Sequence, residues 1–295
     1  MSITTRQALP SDIPAVAALL AASPDDGSLY QFPNITRPEH QAGMRRAQAG
    51  WITSLVRGAD RTTLVRVAVL GQDSGPEKVV GFSSWQKREL YPTTAPDKGD
   101  GDGNGGKAER RQRTRLVELR GDPVEELIPS EKEIIRPAAD GEEDEESPSE
   151  AALTPNPTRS AAVRRLRKRL PPSPALATPC YELHGLSVHP DHRGQGIGKL
   201  LVRWGLERAA AENLPVFATG EAGGVDFYVR ALGFQTLRGS EYWLDAEGNE
   251  ISEEEVKGAN VAYKKENGGL YGAEVVWCPK GVEVDVRGHV YSSRG

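Results

Sequence analysis

Arg193-Gly194-Gln195-Gly196-Ile197-Gly198 follows the apolar run Tyr181 to Val188 and opens directly into an amphipathic stretch. A strand, a glycine-rich turn and a helix start, in that order, make an anion site. The first N–H groups of a helix lack intrahelical partners and carry the positive end of its dipole, so they can cradle phosphate oxygens. Gly196 and Gly198 let that backbone come close, since no Cβ stands in the way. The spacing is neither that of a P-loop, which ends in Lys-Ser/Thr, nor that of a dinucleotide turn, which reads G-x-G-x-x-G directly off the strand. Here it is Arg-x-x-Gly-x-Gly, preceded by Leu186-Ser187-Val188-His189-Pro190.

Beyond Gly198, Leu200, Leu201, Trp204 and Leu206 with Ala209 and Ala210 form a helical stripe, while Lys199, Arg203, Glu207 and Arg208 fill the other face and Pro215 ends the helix. Val216 to Thr219 is a short buried-strand candidate. In the run from Val225 to Phe234, Gly233 suits a left-handed C-cap and Phe234 the apolar residue that folds back after it. On these residues the chain resembles the GCN5-related N-acetyltransferases (GNAT superfamily). Their acetyl-CoA signature is (Arg/Gln)-x-x-Gly-x-(Gly/Ala) after a strand ending apolar-x-Val-x-Pro, and a second signature is a short Phe/Leu-Tyr helix closed by Gly-Phe. The resemblance covers roughly 5–90 and 178–278, and its specific motifs lie between Leu183 and Phe234.

It implies an α/β (α+β) GNAT fold: a mixed, mostly antiparallel central sheet flanked by helices and split between its fourth and fifth strands. It also implies acetyl-CoA as cosubstrate, with no metal. The pyrophosphate would sit on Arg193, Gly194, Gln195, Gly196, Ile197 and Gly198, with Lys199 adding charge, and the backbone of Leu186, Ser187 and Val188 would hold the pantetheine. Tyr228 matches the tyrosine that protonates the leaving thiolate, while Phe227 and Phe234 are the better core candidates. Glu182 stands where the histone-acetylating branch carries its general base, and burial in an apolar strand would raise its pKa toward neutrality. His184 shares that face at period two and is the competing base, with a water relay as the third option. Cys180 falls on the same face, although the superfamily transfers the acetyl group directly rather than through a cysteine.

The implied reaction is acetyl transfer from acetyl-CoA to a primary amine, on a small molecule or a protein or peptide, by direct attack in a ternary complex. The alternatives are a non-catalytic acyl-CoA-binding scaffold, or an acyltransferase with another acyl group or acceptor. Acceptor choice would lie in Ser23 to Pro38 and the strands after Phe234, where Asp25, Asp26 and Glu241 would suit a cationic amine.

Of 295 residues, 37% are hydrophobic and 32 are glycine, so part of the chain is expected not to pack. Two cysteines exclude a disulfide framework, and five scattered histidines show no metal spacing. The absence of a long apolar run and of a basic-apolar leader points to a soluble cytoplasmic protein, with the nucleus as the alternative. A net charge of −5 disfavours nonspecific nucleic-acid binding. The organisation expected is a first half-domain at 1–90, a low-complexity, largely disordered insertion at 91–176, a second half-domain at 177–280 and a tail or extra edge strand at 281–295.

The first half reads as strand, helix, helix and a hairpin of Thr62–Leu70 with Lys78–Trp85, leaving Pro24 to Pro38 as a loop. Within the insertion, Lys107–Arg120 and Ala161–Leu170 mix arginine with spaced leucines and are helix candidates. The basic run Arg164 to Arg169 reads as a localisation or nucleic-acid patch, a docking helix, or solvated charge balancing Glu142 to Glu146.

Overall fold

The computed structural model describes residues 2–57, 62–72, 75–91, 113–119, 154–237, 239–251, 269–284 and 290–292. Strand β1 (Ile3–Gln7) leads into helices α1 (Ile13–Ala22), α2 (Asp26–Gln31) and α3 (Pro38–Val56), and then into the hairpin of β2 (Thr63–Gln72) and β3 (Gly75–Tyr91). After β4 (Arg113–Val117) and α4 (Pro157–Arg169) come β5 (Cys180–Val188), α5 (Ile197–Glu212), β6 (Val216–Glu221), α6 (Ala222–Asp226), β7 (Gln235–Thr236), β8 (Tyr242–Leu244) and β9 (Leu270–Trp277). The sheet runs β1-β2-β3-β5-β6-β9-β7, with β4 on β3 and β8 on β9; β5 and β6 are its parallel pair and the other pairings are antiparallel. The expected mixed α/β fold is thus what forms. The added β4 makes the parallel pair the fifth and sixth strands of the chain.

Helices cover both faces. Ile13, Val16 and Leu19 of α1 and Ile52 of α3 pack on Val65, Val67, Val69 and Phe82, while Ile197 and Leu201 of α5 pack on Ala68 and Val80 from the other side. Helix α5 closes on Asn213, which takes the left-handed conformation two residues before Pro215 and so ends the helix ahead of the proline.

Two local expectations change. Residues 24–38 are not all loop: Asp25 caps α2 by accepting the Ser28 N–H at 2.6 Å. Lys107–Arg120 does not form the expected helix in its described part, because β3 continues beyond its pairing with β2 and leaves a free edge, which β4 takes by pairing Arg113–Val117 with Lys87–Tyr91. The 161–170 candidate is helical, as α4, and it docks through its apolar face while Arg164, Arg165, Arg167, Lys168 and Arg169 stay exposed. Asn156 caps it through Arg159 N–H, and Ala162, Val163 and Leu166 are buried with Tyr30, Leu244 and Leu270. The rest of the proposed insertion, 92–112 and 120–153 with the acidic run Glu142 to Glu146, lies outside the described residues. Past Pro279, Val282–Val284 pairs with Val290–Ser292 as a separate two-stranded ladder. Among the described residues no helix is long and apolar enough to cross a membrane.

Candidate active site

Strands β5 and β6 pair only from Tyr181/Val216 to Leu183/Ala218. Beyond that point β6 keeps its other partner, β9, while β5 bends toward β3. The bend is a β-bulge: Trp85 faces Leu183 and Ser84 faces Gly185, so His184 is the extra residue. The β6-facing edge of β5 from His184 to Val188 is thereby freed of its neighbour, and its peptide groups need another partner. A cleft of about 1150 Å³ opens there.

At the far end of β5 the backbone turns through Pro190–His192 and reaches α5 by Gly194 (φ +77°) and Gly196 (φ +80°), the latter being the residue immediately before the helix. Left-handed backbone at both places explains the glycines, and nothing lies within 4 Å of where either Cβ would stand, so the space above the turn is open. Arg193 ties the turn down: its Nε donates to Val188 O at 3.2 Å and its guanidinium also reaches Ser23 Oγ. Leu186, Ser187, Val188, Arg193, Gly194, Gly196, Ile197, Gly198 and Lys199 all border the cleft; of the expected cofactor residues Gln195 does not.

Tyr228 also borders it. The chain after β6 forms the short α6 and then a wider π-type turn over Phe227–Ala231, closed by Phe234 N–H donating to Tyr228 O at 3.1 Å. Such π turns rotate a side chain out of helical register, and here Tyr228 is 6% exposed between Phe227 and Phe234. Its hydroxyl has no hydrogen-bond partner among the described residues, and burial holds its pKa well above the usual tyrosine value. Across the pH range of ordinary function it remains a proton donor. Phe227 is partly buried against the core and also forms cleft wall over Gly198, while Phe234 is fully core.

The base candidates fall out differently from expectation. Glu182 does not border the cleft. It forms a shielded ion pair with Arg88 of β3, and His184 Nε2 lies 3.8 Å away. Burial alone would raise its pKa, but the nearby His184 ring and the hydrogen-bonded Arg88 guanidinium outweigh burial and hold it below the usual carboxylate range, opposite to the shift a base near neutral pH needs. Arg88→Met strands a largely buried carboxylate and is expected to cost about 3 kcal/mol of stability at pH 7. Because the native pKa of Glu182 is depressed, the ion pair stabilises above the unfolded value and its contribution fades as pH falls through the native one. Denaturant unfolding at pH 7 and at pH 3.5 checks both the size and the convergence of the two proteins. Cys180 is fully buried under Ala175 with its pKa raised by burial, which removes it as a nucleophile. His184 does border the cleft, with an exposed ring.

The carboxylate that sequence reasoning missed is Glu221, the last residue of β6, in the same cleft as Tyr228. Burial, followed by the neighbouring charge of Asp25, pushes its pKa up to about 7, although one oxygen accepts Gly27 N–H at 2.8 Å. A Cβ on Gly27 would stand 2.5 Å from the other oxygen, so the glycine is what allows α2 to lie on this carboxylate. Asp25 and Asp26 border the same cleft; Glu241 does not, and it accepts the Tyr271 hydroxyl at 2.9 Å. The cleft therefore carries both the basic residues of the glycine turn, Arg193 and Lys199, and the carboxylates Asp25, Asp26 and Glu221.

Solved structures to which the chain shows similarity include a histone acetyltransferase HPA2 and related acetyltransferase from Corynebacterium glutamicum, 13% identical, covering 95% of this chain and 97% of that one with a TM-score of 0.43. A GNAT family acetyltransferase from Brucella melitensis, solved with acetyl-CoA, is 15% identical over 79% of this chain and 83% of that one, with a TM-score of 0.34. The PaiA N-acetyltransferase from Thermoplasma acidophilum, solved with coenzyme A, is 11% identical over 80% and 91%, with a TM-score of 0.36. No curated protein sequence matches the chain. Residues 135–234 match the model of the acetyltransferase (GNAT) family. That matched stretch carries both glycine signatures and the helix between them.

Proposed function

We propose that the chain transfers an acetyl group from acetyl-CoA to a primary amine by direct attack in a ternary complex, with Glu221 as general base and Tyr228 as general acid. The observation that carries this reading is a carboxylate with a pKa near 7 and the hydroxyl of a largely buried tyrosine in one cleft, beside a strand edge that no described strand pairs.

The residues fit the cosubstrate. Peptide groups of Leu186, Ser187 and Val188 offer strand-like hydrogen bonds to the pantetheine amides. The N–H groups of the glycine turn and the first turn of α5, with Arg193 and Lys199, suit a pyrophosphate. Acetyl-CoA supplies an activated thioester. Glu221 takes the proton from the incoming amine, which would otherwise arrive as an ammonium ion with a pKa of about 10. The nitrogen then forms the new bond to the acetyl carbon, the carbon–sulfur bond breaks, Tyr228 gives its proton to the departing thiolate, and the second proton leaves the nitrogen to restore the tyrosine hydroxyl, giving a neutral amide. Asp25 and Asp26 favour a cationic acceptor in the cleft.

The test is release of free thiol and of an N-acetylated product, followed by mass spectrometry, with acetyl-CoA and a panel of small primary amines and lysine peptides. Absence of acetyl-CoA binding by calorimetry overturns the reading outright. Gly196→Ala isolates the cofactor part. An alanine at φ +80° is strained by roughly 1–2 kcal/mol, and its methyl group projects into the space meant for phosphate. Acetyl-CoA affinity is expected to fall about tenfold or more, with only a modest loss of stability.

A further inference from the structure

We propose that Arg159 is a positioning residue for Glu221, and that α4 serves as a brace holding α2 over that carboxylate. This rests on the reading of Glu221 as the base.

The chain of contacts is continuous. Helix α2 meets Glu221 at its first turn, through Gly27 N–H and beside Asp25 and Asp26. With only six residues, it is too short to hold that position by its own hydrogen bonds. Its far end is pinned from three directions. Asn156, which caps α4, donates its N–H to Gln31 O at 2.7 Å. Tyr30 donates its hydroxyl to Asp245 O at 2.7 Å, and the Arg159 guanidinium stacks over the Tyr30 ring at 5.1 Å. Arg159 Nε donates to Ala246 O at 2.7 Å, and another of its nitrogens reaches Tyr30 O at 3.4 Å. One side chain therefore joins α4, α2 and the turn after β8, and the planar fork that does so is not available to lysine. Below it, Tyr30 is buried with Val163 and Leu166 of α4.

What α2 does to Glu221 follows from what lies around the carboxylate. It buries the group and brings Asp25 to it, the two largest effects and both raising its pKa, with Asp26 adding less, while the N–H groups of Gly27 and Asp26 pull the other way without reversing the shift. From the other elements, Tyr242 of β8 is near enough to feel its charge, and Tyr228 and His184 share the cleft. Loosening α2 exposes Glu221 and removes the acidic neighbours, so the carboxylate becomes a weaker base with a lower pKa.

The experiment is Arg159→Gln, compared with the parent in two ways: the pH profile of kcat/KM for an amine acceptor, and the Glu221 carboxyl titration followed by 13C NMR. The expected result is a Glu221 midpoint and an acid limb lower by about one pH unit, a plateau reduced about tenfold, and an unchanged Kd for acetyl-CoA. A lower plateau with both midpoints in place would mean a merely structural role and overturn the proposal, as would an unaltered profile. Should Arg159→Gln fail to fold, Tyr30→Phe removes only the anchor to Asp245 O, and a shift of the same sign is required of it. Glu221→Gln run in parallel separates the two ideas. If it keeps full activity the base reading is wrong, whereas the NMR midpoint in Arg159→Gln still judges the brace.

Discussion

Glu221→Gln is expected to lower kcat about a hundredfold or more, with little change in acetyl-CoA affinity. Glutamine keeps the size of the side chain and can still face Gly27 N–H with its carbonyl oxygen, but it cannot take a proton from the amine. In the parent, activity should climb with pH through about 7, because only the ionised Glu221 is a base and burial beside Asp25 has moved its titration there. In the variant that limb should vanish. Stability moves the other way. A carboxyl whose native pKa exceeds its unfolded value favours the folded state at low pH, and that contribution is lost as pH rises through the native value. From an ordinary value of 4.5 to about 7 the penalty at pH 8 reaches at most about 3 kcal/mol. The glutamine protein should therefore be inactive yet harder to denature at pH 8, and nearly equal to the parent at pH 4. Urea melts at the two pH values, set beside the kinetics, check the sign. A variant that is inactive and also less stable at pH 8 would show that Glu221 is a structural group.

The parts of this site that could be read in the sequence are those whose reason is local. Gly194 and Gly196 are glycines because of their own φ, and the run from Phe227 to Phe234 turns on its own Gly233. The parts that could not be read depend on residues far along the chain. Glu182 looked like a base because an isolated glutamate in an apolar strand should have a raised pKa, but its partner Arg88 lies 94 residues earlier on the neighbouring strand. Nothing in its neighbours along the chain singles out Glu221, because what makes it unusual is the cover of α2, whose Gly27 is 194 residues away. The docking of α4 was hidden in a different way. Its basic residues dominate the composition of Arg164 to Arg169, whereas its packing depends on the less conspicuous Ala162, Val163 and Leu166.

Tyr228→Phe should lower kcat by about two orders of magnitude while leaving the acid limb set by Glu221 where it is. The substitution removes one oxygen from a side chain otherwise held by its ring contacts with Phe227 and Phe234, so the fold has no reason to change. Because that hydroxyl has no hydrogen-bond partner among the described residues, its removal strands no donor or acceptor there, and stability should hold or rise slightly. The proton lost is the one meant for the thiolate. It follows that the defect should depend on how much the departing sulfur needs it: an acetyl thioester of a more acidic thiol, still carrying the pantetheine and pyrophosphate contacts, should recover part of the lost rate in Tyr228→Phe and gain little in the parent. The same substrate should not rescue Glu221→Gln, whose missing step is on the amine. A Tyr228→Phe protein with parental kcat would mean that water or the unused His184 ring protonates the thiolate, and the tyrosine would then be a packing residue beside the cleft.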